Sequence, residues 1–169
     1  MKNMKRLLCM ALAATALMTA MPMQSLAASD YKYITNISLK VSIDLDSGDE
    51  ISSGDSLGTS SSDSGSKVYT SSSKYEVESA EWSNDTEVGI GDTPKITVYL
   101  DPNTSSSSAY EYRFRSSYSA SSVSISGGIF VSASRSGDQL KVVLKATGIK
   151  GTYDPPEDAE WGSSRGRAR

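Results

Sequence analysis

After residue 27 the chain contains no cysteine, no methionine and no histidine. Histidine is missing throughout, and the one cysteine, Cys9, sits with all six methionines in the first 27 residues. These absences exclude a Ser–His–Asp or Cys–His nucleophile, imidazole or thiolate zinc ligation, and any disulfide in the remainder. No run approaches the roughly 18 apolar residues that a membrane-spanning helix needs. A basic cluster is also missing from the body of the chain; the one basic patch is Arg165, Arg167 and Arg169 at the C-terminus, read as a solvated end. The net charge is −3, and the first 27 residues hold three cations and no acid, so the remainder carries −6. That sign opposes phosphate neutralisation, and no nucleic-acid partner is expected.

Lys2, Lys5 and Arg6 precede a 14-residue apolar stretch, Leu7 to Ala20. Pro22 ends it, and Ser25-Leu26-Ala27 puts small residues at the −3 and −1 positions of a cleavage site. Residues 1–27 therefore read as a secretory signal peptide. The stretch is too short for an anchor, and Cys9 follows Leu8 at the start of the apolar run, where no lipoprotein cysteine would stand. A secreted, extracellular protein follows, exported in the manner of Gram-positive bacteria. Its 142 remaining residues suffice for a core without disulfides.

Serine fills 33 of those 142 positions, and the apolar residues concentrate in alternating runs. Ile37, Leu39, Val41, Ile43 and Leu45 alternate with Ser38, Lys40, Ser42 and Asp44, the pattern of a half-buried strand. Residues 46–66 are rich in Asp, Gly and Ser and read as a mobile loop, for want of apolar surface to bury. Lys67 to Thr70 reads as a short strand. Tyr75 and Val77 alternate with Glu76 and Glu78 on the way to Trp82. Pro94 opens a strand with Ile96, Val98 and Leu100 inward and Lys95, Thr97 and Tyr99 outward. After the Asp101-Pro102-Asn103 turn, Tyr110, Tyr112 and Phe114 share a face and read as core. Val123 and Ile125 follow, then Gly127-Gly128, then Ile129, Val131 and Ala133 at alternate positions. Beyond the Ser136-Gly137-Asp138 turn come Leu140, Val142, Leu144 and Ala146. No helical period appears after the leader. The pattern predicts an all-β domain over 28–147, an antiparallel immunoglobulin-like sandwich of about seven strands. Residues 148–169 read as a proline-rich acidic linker, Asp154-Pro155-Pro156-Glu157-Asp158, and the truncated start of a following domain at Trp161.

Tyr33-Ile34-Thr35-Asn36-Ile37-Ser38-Leu39, the turn at Gly48-Asp49, Gly91-Asp92-Thr93-Pro94-Lys95-Ile96-Thr97-Val98 and the run from Phe130 through Leu144 to Thr152 together resemble a known family. This is the N-terminal β-sandwich of secreted cell-surface and cell-wall-binding proteins of clostridial-type (Firmicutes) gut bacteria. The resemblance covers about residues 30–161. It implies a fibronectin type III-like domain to follow, with Pro155-Pro156-Glu157-Asp158-Ala159-Glu160-Trp161 as the junction. It also implies choline-binding-like wall-binding repeats, which this chain lacks. The expected role is structural or adhesive and non-enzymatic, at the cell surface or cell wall. Surface proteins and wall or host glycans are the partners, and the alternative function is a carbohydrate-binding module.

Few clusters suggest chemistry. Asp44, Asp46, Asp49 and Glu50 surround a glycine turn and would offer oxygens to calcium, which takes six to eight. Their order is not that of an EF-hand, and a solvated turn is the preferred reading. Glu76, Glu78, Glu81, Asp85 and Glu87 contain candidates for a glycosidase pair, but alternation places Glu76 and Glu78 on one wet face as surface charge. Ser71-Ser72-Ser73-Lys74 holds a bare Ser-x-x-Lys without the partner motifs of a hydrolase. No catalytic residue, cofactor or metal is expected. Among the aromatics, Trp82 and Tyr99 are the best exposed candidates for stacking on a sugar, with core or edge packing as the preferred reading.

Overall fold

A computed structural model describes residues 30–103 and 110–151. The leader and the linker with its following segment lie outside them, apart from residues 148–151. Eleven strands and one 3-10 turn make up the described chain, with no α-helix. They are β1 (Asp30–Ile34), β2 (Ile37–Ser42), β3 (Glu50–Ile51), β4 (Lys67–Tyr69), β5 (Tyr75–Trp82), β6 (Thr86–Glu87), β7 (Lys95–Pro102), β8 (Tyr110–Phe114), β9 (Val123–Ser126), β10 (Gly128–Ser136) and β11 (Gln139–Ala146). The all-β expectation holds. No described helix is long and apolar enough to cross a membrane.

The largest sheet has four antiparallel strands in the order β10-β11-β7-β5. A second has three, β4-β2-β9, and two-stranded sheets pair β1 with β8 and β3 with β6. The pairing is not wholly antiparallel. β1 runs parallel to β8, and β2 runs parallel to β9. The segment from Asp30 to Ser42 thus lies alongside the segment from Tyr110 to Ser126, both in the same direction. Parallel ladders need a long crossover. Here 75 residues separate Ile34 from Tyr110, a pairing that local alternation does not encode.

One core joins the sheets. Ile96, Val98 and Leu100 from β7, Leu140, Val142 and Leu144 from β11, Ile37 and Leu39 from β2, and Val68 from β4 are at most 1% exposed. Each aliphatic side chain so buried contributes on the order of 1.5–3 kcal/mol. Tyr75 also belongs to the core, its ring tilted against Phe114 at 5.8 Å. Its hydroxyl bonds both the amide (2.6 Å) and the carbonyl (3.2 Å) of Ser38, tying β5 to β2.

Two β-bulges revise the expected faces. The β5–β7 register shifts between Val77 and Ser79. A bulge sets two residues of one strand against one of its neighbour and resets the alternation beyond it. Ala80 and Trp82 therefore point inward, and Trp82 is only 5% exposed. The β10–β11 register shifts between Phe130 and Ser132. Phe130 and Ala133 pack against the core, while Ile129 and Val131 face outward at 54% and 43% exposure.

The segment 46–66 also differs from expectation. It carries few apolar residues, but Ile51 and Leu57 are both buried. The amides of Gly54 and Leu57 donate to the carbonyls of Trp82 and Ala80, so this stretch covers the free edge of β5. Gly58 then closes the neck of a compact loop: its amide donates to Ser66, and Val68 donates back to Gly58. The serine tip wraps the Lys67 ammonium, which donates to the carbonyls of Asp63 (2.6 Å) and Ser61 (3.1 Å). Such Ω-type loops are held by their own contacts.

A recurrent device closes these turns. The amide of residue i donates to the side chain of residue i+3, whose own amide donates back to the carbonyl of residue i. Asp46 and Asp49 make this clamp at 2.8 and 3.1 Å, Ser60 and Asp63 at 2.9 and 3.2 Å, and Gly89 and Asp92 at 2.7 and 3.1 Å. Ser119 and Ser122 repeat it with a hydroxyl, at 3.0 and 2.9 Å. Short polar side chains bond nearby backbone readily. The polar composition thus supplies hydrogen bonds that stand in for apolar burial.

The domain also reaches past the expected end at 147. Ile149 is buried, and Lys150 exchanges backbone bonds with Leu45 and Ser47. An isolated Ile after a strand carries no periodic signal, which is why alternation alone places the boundary too early.

Candidate functional site

The β1–β8 ribbon concentrates aromatic and cationic side chains at one end of the fold. Alternate residues of a strand share a face. The parallel register sets Tyr31 beside Glu111 and Tyr33 beside Arg113, all on one face. Lys32, Tyr110 and Tyr112 share the other face with Ile34 and Phe114. Ile34 and Phe114 are buried in the core, and Tyr112 packs against it. Tyr110 and Tyr112 are half-buried, so the expected core stripe is fully buried at Phe114 and partly buried at Tyr112.

Each face carries a cation over a ring. The Arg113 guanidinium lies 3.4 Å from the centroid of Tyr31, and the Lys32 ammonium lies 3.6 Å from that of Tyr110. Such contacts contribute about 0.5–1 kcal/mol at exposed sites. Tyr110 and Tyr112 meet edge to face at 5.4 Å. Hydrogen bonding from Tyr112, and then the Lys32 ammonium, hold the Tyr110 phenol below its ordinary value; the bond with Tyr110 pushes Tyr112 up.

An open groove of about 430 Å³ lies where β8 meets the ends of β7 and of the β10–β11 hairpin. Glu111, Tyr112 and Arg113 form one wall, and Asp101, Asp138 and Gln139 contribute to the other. The Gln139 amide nitrogen donates to Asp101 Oδ1 at 3.0 Å, which orients both groups. The carboxylate and the amide carbonyl are acceptors by their chemistry, and the Arg113 guanidinium that lines the same groove is a donor. A tyrosine ring beside an oriented amide–carboxylate pair presents an apolar face together with donors and acceptors. Neighbouring hydroxyls on a sugar ring ask for that combination.

The residues favoured from the sequence lie elsewhere. Trp82 is in the core, turned there by the bulge in β5. Tyr99 is half-exposed on the opposite face of the same sheet, opposite Ser79 and Lys141 in register, with the Lys141 ammonium 5.9 Å from its ring centroid. Trp82 and Tyr99 therefore cannot form one platform. The acidic turn is not gathered either. Asp44 pairs with Lys150 at 3.1 Å, Asp49 clamps the Asp46 amide, and Glu50 lies opposite Glu87 in the β3–β6 pair. Among the described residues no three His, Cys, Asp or Glu side chains form a group able to hold a metal.

The groove residues had one legible signal, the Tyr-Glu-Tyr-Arg-Phe alternation of β8. Asp101, Asp138 and Gln139 had none, because the fold brings two separate turns to that strand. No family model matches the chain, and neither a curated protein nor a solved structure matches it.

Proposed function

We propose that the chain is a secreted, non-enzymatic binding module of a bacterial cell-surface or cell-wall-associated protein, with a structural or adhesive role. In this reading the sheets form an immunoglobulin-like sandwich that displays the β1–β8 ribbon. The observation that carries the proposal is the groove with Tyr112 on one wall and the bonded Asp101–Gln139 pair on the other. That same pair favours carbohydrate as the ligand class, as wall or host glycans. The leader-like N-terminus supports export, and the lack of histidine and cysteine beyond residue 27 narrows catalysis.

Retention of the full chain on insoluble peptidoglycan and on immobilised mucin glycans tests the proposal. Binding is expected, with Tyr112→Ala weakening it at least about tenfold and Tyr99→Ala leaving it unchanged. No retention above a neutral bead, or equal retention of both variants, overturns the glycan reading. Release of sugar or peptide fragments by the purified protein overturns the non-enzymatic one.

A further inference from the structure

A second pocket, sharing no lining residue with the groove, lies at the end of β8, where the chain turns against β10. It is open, about 550 Å³, and lined by Tyr33, Arg115, Ser116, Ser117 and Arg135. Among the described residues no carboxylate lines it. The only ion pair among the described residues is Lys150–Asp44, so neither arginine has a carboxylate partner there. The remainder of the chain after the leader carries −6. The pocket is thus a local reversal of charge, and not part of a general cationic coat.

Its construction is specific. Arg135 lies opposite the buried Leu140 in the β10–β11 register, yet it is itself exposed near the end of the hairpin. Its guanidinium reaches Phe114 and donates one hydrogen bond to that carbonyl at 2.9 Å. A guanidinium has five donors, and this bond uses one while fixing the direction of the rest. Arg115 follows directly after β8. Its backbone amide donates to the Tyr118 hydroxyl at 3.0 Å, which in turn donates to the Ile34 carbonyl at 2.6 Å. Ser117 bridges Ser134 of β10. These bonds bring the corner after β8 against β10, so both arginines line one cavity. Two unpaired cations in one pocket repel each other until an anion joins them.

We infer that the Arg115–Arg135 pocket binds a phosphate group. Two guanidiniums match the double charge of phosphate, and their forked donors match its oxygens. The hydroxyls of Ser116, Ser117 and Tyr33 add further donors around the same space. The pocket is open to solvent, so a bound ion need not fill it. It has room for a phosphate ester whose carbon body lies against Tyr33, which is 58% exposed.

The test is a titration of the ¹⁵N-labelled full chain at constant ionic strength, following the arginine side-chain signals. Inorganic phosphate and glycerol 3-phosphate are the two probes, and glucuronate is the carboxylate control. Both phosphates are expected to shift Arg115 and Arg135 saturably. The tighter of the two tells whether the free ion or an ester is preferred. Arg135→Gln and, separately, Arg115→Gln each lower the affinity about tenfold, whereas Lys145→Gln on the outer face of the large sheet does not. Arg115 is exposed in a turn, so its variant serves even where Arg135→Gln disturbs the edge of β10. Non-saturable shifts, equal affinity in the arginine variants, or glucuronate binding as tightly as phosphate would each overturn the inference. Loss of glycan retention with phosphate binding intact removes the groove proposal alone; the reverse pattern removes this one alone.

Discussion

The serine-rich segment from Asp46 to Ser66 and the tyrosine-rich β1–β8 ribbon invert what their compositions suggest. The first holds almost no apolar side chains, yet Ile51 and Leu57 enter the core and its backbone caps the edge of β5. The second has a tyrosine at four of its ten positions, yet Tyr31 and Tyr33 stay exposed and Tyr110 and Tyr112 half-exposed. In the loop, i to i+3 clamps from Asp49 and Asp63 supply the hydrogen bonds that let two apolar anchors suffice. In the ribbon, cations lie over the rings of Tyr31 and Tyr110, and only Ile34 and Phe114 are fully buried. Order and exposure follow from where hydrogen bonds and registers place a residue, and composition is a weaker guide.

The contrast can be broken by substitution. Trp82→Ala is expected to have the largest effect, a loss of about 3–5 kcal/mol in denaturant unfolding. Tyr99→Ala, on the opposite face of the same sheet, should cost under about 1 kcal/mol. If the two cost the same, the bulge that turns Trp82 inward is wrong. Next comes Leu57→Ala, about 2–5 kcal/mol, against Tyr33→Ala within about 0.5 kcal/mol. A mobile loop would reverse that order.

Removing a clamp should cost less. Asp63→Ala leaves the amides of Thr59 and Ser60 without their acceptor and should cost about 1 kcal/mol. Faster hydrogen exchange confined to that turn is the accompanying signature. The smallest effect is spectroscopic. Burial pushes the Tyr118 phenol up from its ordinary value of 10.0. A phenol whose folded value is raised favours folding fully below the unfolded value and loses that advantage as pH rises through the folded one. Stability should therefore begin to fall above about pH 10, less so in Tyr118→Phe, with part of the late tyrosinate absorbance, which Tyr112 shares, removed in that variant. An unchanged titration curve would place Tyr118 in water.

Much of the strand content is legible in the sequence. Ile37-Leu39, Ile96-Val98-Leu100 and Leu140-Val142-Leu144 alternate without interruption, and all eight are buried. The failures have a shared cause. A bulge adds one residue that a period-two pattern has no means of signalling, and so Trp82, Ile129 and Val131 are assigned to the wrong faces. The parallel pairs β1–β8 and β2–β9 depend on distant segments meeting. The groove is less legible still. Tyr112 stands in a readable stripe, but the Asp101–Gln139 bond joins residues 38 apart and exists only once β7 and β11 are paired.

Amide hydrogen exchange on the full chain, with and without a retained glycan, bears most directly on this inversion. The account predicts that the amides of Gly54 and Leu57 are protected without ligand, because they bond to β5, and that glycan adds protection only along β8 and the β10–β11 turn. Exchange of Gly54 and Leu57 at the rate of an unstructured chain, or glycan protection centred on Tyr99 and Lys141, would contradict it.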